Sequence, residues 1–301
     1  MKTVRECVPC FFKQAYDAAG FAGARDTVKK KILRLLVQEI REFDFSLCPS
    51  EMGRTLYALV RKITGQDDPF KQIKEKSNRL ALALYPHLKE KVTASRDRLL
   101  TAVELAIAGN IIDYGVNGAL ELEKELERIF ARERRTIRGE NKGIFEYNAF
   151  RQALDKTKKI LYIGDNAGEI VFDRVLIEEL CLRHKEVTFV VKGAPIINDA
   201  LKEDALFCGI QQSARIISSG CDAPGTILRF CSRDFLALYR KAELIISKGQ
   251  GNFEALCGER RPIFFLLKAK CPVLAGYLGC KLGDVILKRA KIGAGFEVTT
   301  S

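Results

Sequence analysis

Two rhythms of apolar positions divide the chain near residue 150. Before it, Val28, Ile32, Leu35, Leu36 and Ile40 recur at three- and four-residue spacing, as do Leu99, Leu100, Val103, Leu105 and Ile107. That spacing predicts helices with one buried face. Residues 120–137 carry a charged amphipathic pattern with Glu121/Lys124 and Glu125/Arg128 pairs on one helix face. Cys48-Pro49, Asp67-Asp68-Pro69 and Tyr85-Pro86 read as helix breaks. After about residue 155 the texture changes to short β-rich runs at 159–163, 187–191, 215–218, 244–247 and 263–267. Helical segments such as 170–182 and 233–241 separate most of them. Strand alternating with helix implies parallel pairing through right-handed crossovers. The expected fold is therefore α/β: a helical N-terminal domain over 1–150 and a doubly wound, mainly parallel sheet domain over 151–301.

Composition narrows the setting. A hydrophobic fraction of 47% suits a globular protein with a sizeable core. No apolar run approaches the ~18 residues of a membrane span, and Arg5 and Glu6 interrupt the segment where a secretory signal would need an unbroken apolar stretch. A cytoplasmic, membrane-free protein is expected. The net charge of +12 is spread evenly: 27 basic against 21 acidic residues up to position 150, and 23 against 17 after it. Its densest clusters, at 29–31 and 132–138, lie within helical patterns and read as solvated faces, so no nucleic-acid partner is expected. The same excess would help draw in an anionic small molecule. Ten cysteines in such a compartment should be mostly reduced and buried.

The chemistry gathers at the predicted strand ends. The first strand runs into Gly164-Asp165-Asn166-Ala167-Gly168-Glu169, placing two hard oxygen donors at the edge where open α/β sheets bind ligands. Hard donors suit Mg²⁺ or Mn²⁺; an Asx turn capping the next helix is the plainer reading. The second strand leads to Lys192-Gly193-Ala194-Pro195 and then Asn198-Asp199, where Asp199 is either a third oxygen ligand or an N-cap. The fourth leads to Ser247-Lys248-Gly249-Gln250-Gly251-Asn252-Phe253-Glu254. Its glycines permit close backbone approach to a phosphate, although neither a Walker loop nor a GxGxxG fingerprint is present. The fifth ends in Lys268, either a snorkelling surface lysine or a point charge facing the site. Cys7-Val8-Pro9-Cys10 stands apart at the N-terminus. It can be half a zinc site (with Cys48 and His87 as further ligands), a redox pair or a structural pair.

Taken in order, these motifs and Ala108-Gly109-Asn110-Ile111-Ile112-Asp113-Tyr114-Gly115 resemble the metal-dependent damage-control phosphatases, catalogued as domain of unknown function 89. The chain is most similar to their compact archaeal and bacterial branch carrying Cys-x-x-Cys. The resemblance runs from residue 7 to about 268 and implies a Rossmann-like metal-binding domain packed against the helical one. It implies Asp165, Asn166 and Asp199 as ligands of Mn²⁺, Mg²⁺ or a similar ion such as Co²⁺ or Ni²⁺. It further implies that Gly249, Gln250, Gly251, Asn252, Phe253 and Lys268 contact phosphate, and that Glu169 lies beside the site. Asn110 and Asp113 would project into the cleft between the domains. The expected activity is hydrolysis of small phosphorylated metabolites, by water rather than by Asp165 as covalent nucleophile, with Cys7 and Cys10 forming a second, separate site. Two rivals stand beside it. One is an S-adenosylmethionine-dependent carboxyl methyltransferase, whose Gly-rich first loop is replaced here by Asp-Asn. The other is a non-enzymatic metal or redox sensor centred on Cys7 and Cys10.

Overall fold

The computed structural model describes residues 1–109 and 144–290. The helix expected over 120–137, and Asn110 and Asp113, lie outside the described residues. Five helices occupy the first described stretch: α1 (Val8–Phe21), α2 (Asp26–Glu42), α3 (Pro49–Thr64), α4 (Lys71–Thr93) and α5 (Arg98–Ala108). After α6 (Tyr147–Asp155), strands and helices alternate. They are β1 (Lys159–Ile163), α7 (Glu169–Leu182), β2 (Glu186–Val191), α8 (Lys202–Phe207), β3 (Arg215–Ser218), α9 (Arg233–Lys241), β4 (Leu244–Lys248), α10 (Gln250–Leu256), β5 (Ile263–Lys268), α11 (Pro272–Leu278) and β6 (Val285–Arg289).

The six strands form one sheet in the order β3-β2-β1-β4-β5-β6. The first five pair in parallel, and β6 runs antiparallel along β5. Strands buried on both faces read as continuous apolar runs, as Lys159–Ile163 and Ile263–Lys268 do. One face packs Tyr162, Phe189, Ile246 and Phe264 against α5, α6 and α7. The other packs Leu161, Ile163, Ile245 and Phe265 against α9, α10 and α11. The sheet is thus doubly wound, and its order reverses between β1 and β4, where a crevice opens at the carboxyl ends.

The helices before residue 150 do not share one core. Helices α1–α3 pack around Phe11, Ala15, Ile32, Leu36, Met52 and Leu56. Residues of α4 and α5, including Leu84, Leu88 and Val103, belong instead to the sheet's largest apolar cluster. Pro49 starts α3, but Pro86 lies inside α4 and does not break it. An interior proline removes one backbone donor; here Leu84 and Leu88 on either side are buried in the core and hold the helix in place. Among the described residues no helix is long and apolar enough to cross a membrane.

Candidate functional site

Three oxygen donors far apart in sequence meet because two strand-end segments zip together. Beyond β1, Ala200 N–H donates to Asp165 O at 2.8 Å, and Ala167 N–H donates to Asn198 O at 2.8 Å. This antiparallel bridge pairs Asn166 with Asp199 and brings Asp165, Asn166 and Asp199 to one end of a cleft of about 980 Å³. The cleft lies between the strand ends and helices α1 and α3. Helix α3 is tied across it: Arg54 Nε pairs with Asp222 at 2.5 Å, and Arg61 Nη1 donates to Pro195 O at 2.5 Å. Ser50 Oγ adds a hydrogen bond to Gly251 O at 3.3 Å.

Below the donors lies a dense charge cluster. Lys248, the last residue of β4, is fully buried, with Glu169 Oε1 at 2.5 Å and Asp173 Oδ1 at 2.7 Å. Those two carboxylates stand one turn apart at the start of α7. That start is set by Gly168, whose φ of 79° suits glycine and whose N–H donates to Asn78 Oδ1 at 2.6 Å. Asn166 Nδ2 donates to Asp165 Oδ2 at 3.0 Å and to Glu169 Oε2 at 3.2 Å. Lys192 Nζ lies 3.3 Å from Asp199 Oδ2, within ion-pair range but misaligned for a hydrogen bond.

Among the described residues carboxylates outnumber cations here, and burial with mutual repulsion raises the pKa of several of them. Burial, then the charges of Glu169 and Asp199, push Asp165 well above the ordinary carboxylate range, against Lys270 and Lys192. Burial raises Asp199 to about 7 despite Lys192, and Asp173 to about 6 despite Lys248. The Lys248 ammonium is held charged: burial acts against it, but Asp173 and Glu169 outweigh that. Crowded, partly neutralised carboxylates are what a bound cation relieves. The residues fit a hard divalent ion on two further counts. Asp199 Oδ2 is buried without an aligned hydrogen bond. Gly249, at φ 80°, leaves the space into which the Asp165 carboxylate fits and which any Cβ would fill.

The remaining expected site residues separate. Gln250 and Gly251 line the cleft. Asn252 is fully buried and acts as a staple: its Nδ2 donates to Gly164 O and Lys248 O, and its Oδ1 accepts from Thr226 N and Oγ1. Phe253 is core, with its ring centroid 5.0 Å from that of Phe265. Neither lines the cleft. Lys268 also does not reach it: the residue is still paired within the sheet, opposite Val285 of β6. Lys270, two residues beyond, lines the cleft, and its charge acts on Asp165. Cys7 and Cys10 stand on the wall of this same cleft with Cys271, not at a separate site. All ten cysteines are free thiols. Burial raises Cys7, and Gln14 Nε2 donates to Cys10 Sγ at 3.0 Å. Among the described residues no group of three or more His, Cys, Asp or Glu side chains is placed to hold a metal. Cys7, Cys10, Cys48 and His87 are therefore not assembled, and the strand-end donors form a set of three only because Asn166 adds its amide oxygen.

Sequence reasoning passed over Asp173, Asn78 and Lys270, and named Lys192 and Lys248 only as members of strand-end motifs, without roles of their own. For Lys248 and Asp173 a signal existed: a lysine closing an apolar strand, and a Glu169/Asp173 pair on one face of the otherwise apolar Glu-Ile-Val-Phe-Asp.

Residues 3–286 match the profile of the damage-control phosphatase ARMT1-like domain. The chain belongs to this family. It is 38% identical over 299 residues to an uncharacterised protein of Methanocaldococcus jannaschii, covering 96% of each chain. It is 34% identical over 291 residues to a damage-control phosphatase of Archaeoglobus fulgidus, covering 96% of this chain and 99% of the relative. A damage-control phosphatase of Pyrococcus horikoshii is 34% identical over 296 residues, covering 97% and 99%. The crystal structure of a domain of unknown function 89 protein from that organism superposes with a TM-score of 0.86, covering 97% of this chain and all of the other. Membership in the damage-control phosphatase ARMT1-like family accords with a mixed α/β fold whose sheet is mostly parallel.

Proposed function

We propose that this protein is a divalent-metal-dependent phosphatase acting on small phosphorylated metabolites. The observation that carries the reading is the convergence of Asp165, Asn166 and Asp199 at one end of a large cleft that Lys270 also lines. Kinship with proteins named damage-control phosphatases supports the reaction class. Asp165, Asn166 and Asp199 would hold Mn²⁺, Mg²⁺, Co²⁺ or Ni²⁺, an ion that when bound supplies Lewis-acid polarisation of a phosphoryl oxygen. Lys270 stands on the cleft wall as a cation for the phosphate charge. Asp165 is an unsuitable covalent nucleophile, since one oxygen accepts from Asn166 and its carboxylate is packed against Gly249. Helix α3, tied to the strand-end loops, forms one wall of the cleft.

The test is phosphate release from a panel of sugar phosphates, phosphorylated cofactor precursors and damaged phosphometabolites, with each metal and with EDTA. Release that requires a divalent ion is expected. Release unaffected by chelation, or none from any ester with any metal, would sink the reading.

A further inference from the structure

Lys248 does not line the cleft, and its side chain donates to Glu169 and Asp173, not to Asp165, Asn166 or Asp199; yet it is a fully buried ammonium held beneath them. Its ammonium is clasped by Glu169 Oε1 and Asp173 Oδ1, and Tyr162 Oη donates to the same Asp173 oxygen at 2.8 Å. Burying ions costs desolvation that commonly offsets their attraction, so core stability by itself does not account for a charged cluster here, although removing Lys248 alone would leave two buried carboxylates uncompensated. What the charge does provide is direction. Glu169 divides its carboxylate: Oε1 is held by Lys248, and Oε2 accepts from Asn166 Nδ2 at 3.2 Å. The other Asn166 N–H bond goes to Asp165 Oδ2 at 3.0 Å. An amide nitrogen has two protons, and here both face carboxylates. The carbonyl oxygen is the end left for the cleft that Asn166 lines.

We propose that Lys248 is a positioning residue: by holding Glu169 Oε1 it keeps Oε2 against Asn166 Nδ2, and so presents the oxygen of that amide, not its nitrogen, to the cleft. The consequence for metal affinity rests on the reading of Asn166 as a metal ligand; the orientation itself does not. Metal ligands are commonly aimed by partners one bond further out, and the chain Asp173–Lys248–Glu169–Asn166 is such a support drawn from β4 and α7.

Glu169→Gln gives the proposal a sign. Lys248 has only donors, so the new amide must turn its oxygen to the lysine. Its NH₂ then faces Asn166 and forces that amide to turn over. Adding Lys248→Met releases the demand and lets the glutamine oxygen face Asn166 again. In calorimetric titrations of the full chain with Mn²⁺, Glu169→Gln should weaken binding about ten- to a hundredfold, and Lys248→Met/Glu169→Gln should recover part of the loss. A lysine that merely filled the core would make the double variant the weaker of the two. Hydrogen exchange of the Asn166 side-chain NH₂, assigned by its disappearance in Asn166→Ala, tests the orientation in metal-free protein. Protection in the wild type should be lost in Lys248→Met or, if that variant does not fold, in Lys248→Met/Asp173→Asn, which removes the lysine together with one of the two carboxylates it would leave uncompensated. A double variant weaker than Glu169→Gln, or unchanged NH₂ protection in a folded variant, overturns the proposal. A wild-type protein that binds no Mn²⁺ overturns the metal reading alone, because the exchange measurement still decides the positioning.

Discussion

Helix α7 carries two clusters of charge, and they are built to opposite ends. At its first turn Glu169 and Asp173 share the ammonium of Lys248, with Asp165 and Asp199 close by and Asp173 Oδ2 buried without a hydrogen-bond partner among the described residues. Two turns on, Glu178 receives Lys89 at 2.5 Å, Tyr85 Oη at 2.5 Å and Arg174 Nε at 2.9 Å, while Arg98 meets Glu179 at 2.5 Å. Burial acts against the charge of both groups. In the second cluster Lys89, Tyr85 and Arg174 overcome it and hold Glu178 below the ordinary carboxylate range. In the first, burial wins at Asp165, Asp173 and Asp199. A saturated carboxylate joins helices; a group of carboxylates short of partners is what the proposed cation would relieve. The same helix thus separates what holds the fold from what is available for chemistry.

The largest test removes the undersupplied acids. Asp165→Ala or Asp199→Ala should abolish turnover. Asp165→Ala should leave the metal-free melting temperature unchanged or higher, because it relieves like-charge crowding. Asp199→Ala should lower it, by leaving buried Lys192 without its ion-pair partner. The stabilisation given by Mn²⁺, about 2.7 kcal/mol at a hundred times its Kd, should vanish. A variant that retained wild-type turnover at saturating Mn²⁺ would remove that residue from the ligand set.

Next comes the lysine that distinguishes rim from sheet. Lys270→Ala should lower kcat/KM by roughly ten- to a thousandfold, equivalent to about 1.4–4 kcal/mol. Lys268→Ala should change it by less than about threefold, below 1 kcal/mol. Steady-state kinetics with the two effects reversed would return the phosphate clamp to Lys268.

For the saturated cluster, Glu178→Gln should cost about 1 kcal/mol at neutral pH, as the loss of charge-assisted hydrogen bonds. The sign with pH follows from the depressed acidity. The folded-state value lies below the unfolded one, so the contribution is complete above the unfolded value and is lost as pH falls through the folded value. Urea midpoints of wild type and variant should stay apart from about pH 6 to 8 and converge below about pH 4. A constant gap down to pH 3 would show that the carboxylate charge contributes nothing.

The smallest effect belongs to the thiols. Cys7→Ser/Cys10→Ser should move stability by no more than about 0.5 kcal/mol, since Cys10 is exposed and Cys7 half-buried. Because both line the cleft, KM should shift while kcat holds within about twofold. A large fall in melting temperature would make them the structural pair that their position in sequence proposed.

How much of this could be read without the structure depended on how local each feature was. The strands at 159–163 and 215–218, and the helix at 233–241 with the strand that follows it, come from apolar runs and periodicity, which need no knowledge of distant residues. Strand β6 was passed over because Lys288 and Arg289 end a short run at the edge of the sheet, where one side lacks a partner strand to demand apolar residues. Asp165-Asn166 and Asp199 were legible as oxygen donors at strand ends, and the family pattern was carried by their order. That they meet was decided by the strand order and by the Asn166–Asp199 bridge across 33 residues of sequence. Lys268 and Lys270 are alike as residues; only the length of β5 and its pairing with β6 tell sheet from cleft. Asn252 and Phe253 sit in a glycine-rich motif that reads as ligand-facing, but a helix turns successive residues about its axis, so Gln250 and Gly251 face the cleft while the next two enter the core. Sequence determines which chemical groups exist and which elements carry them, because propensity and periodicity are short-range. Which of those groups share a cavity, and which buried charge is left short of partners, is set by packing between elements distant along the chain, and only the tertiary structure decides it.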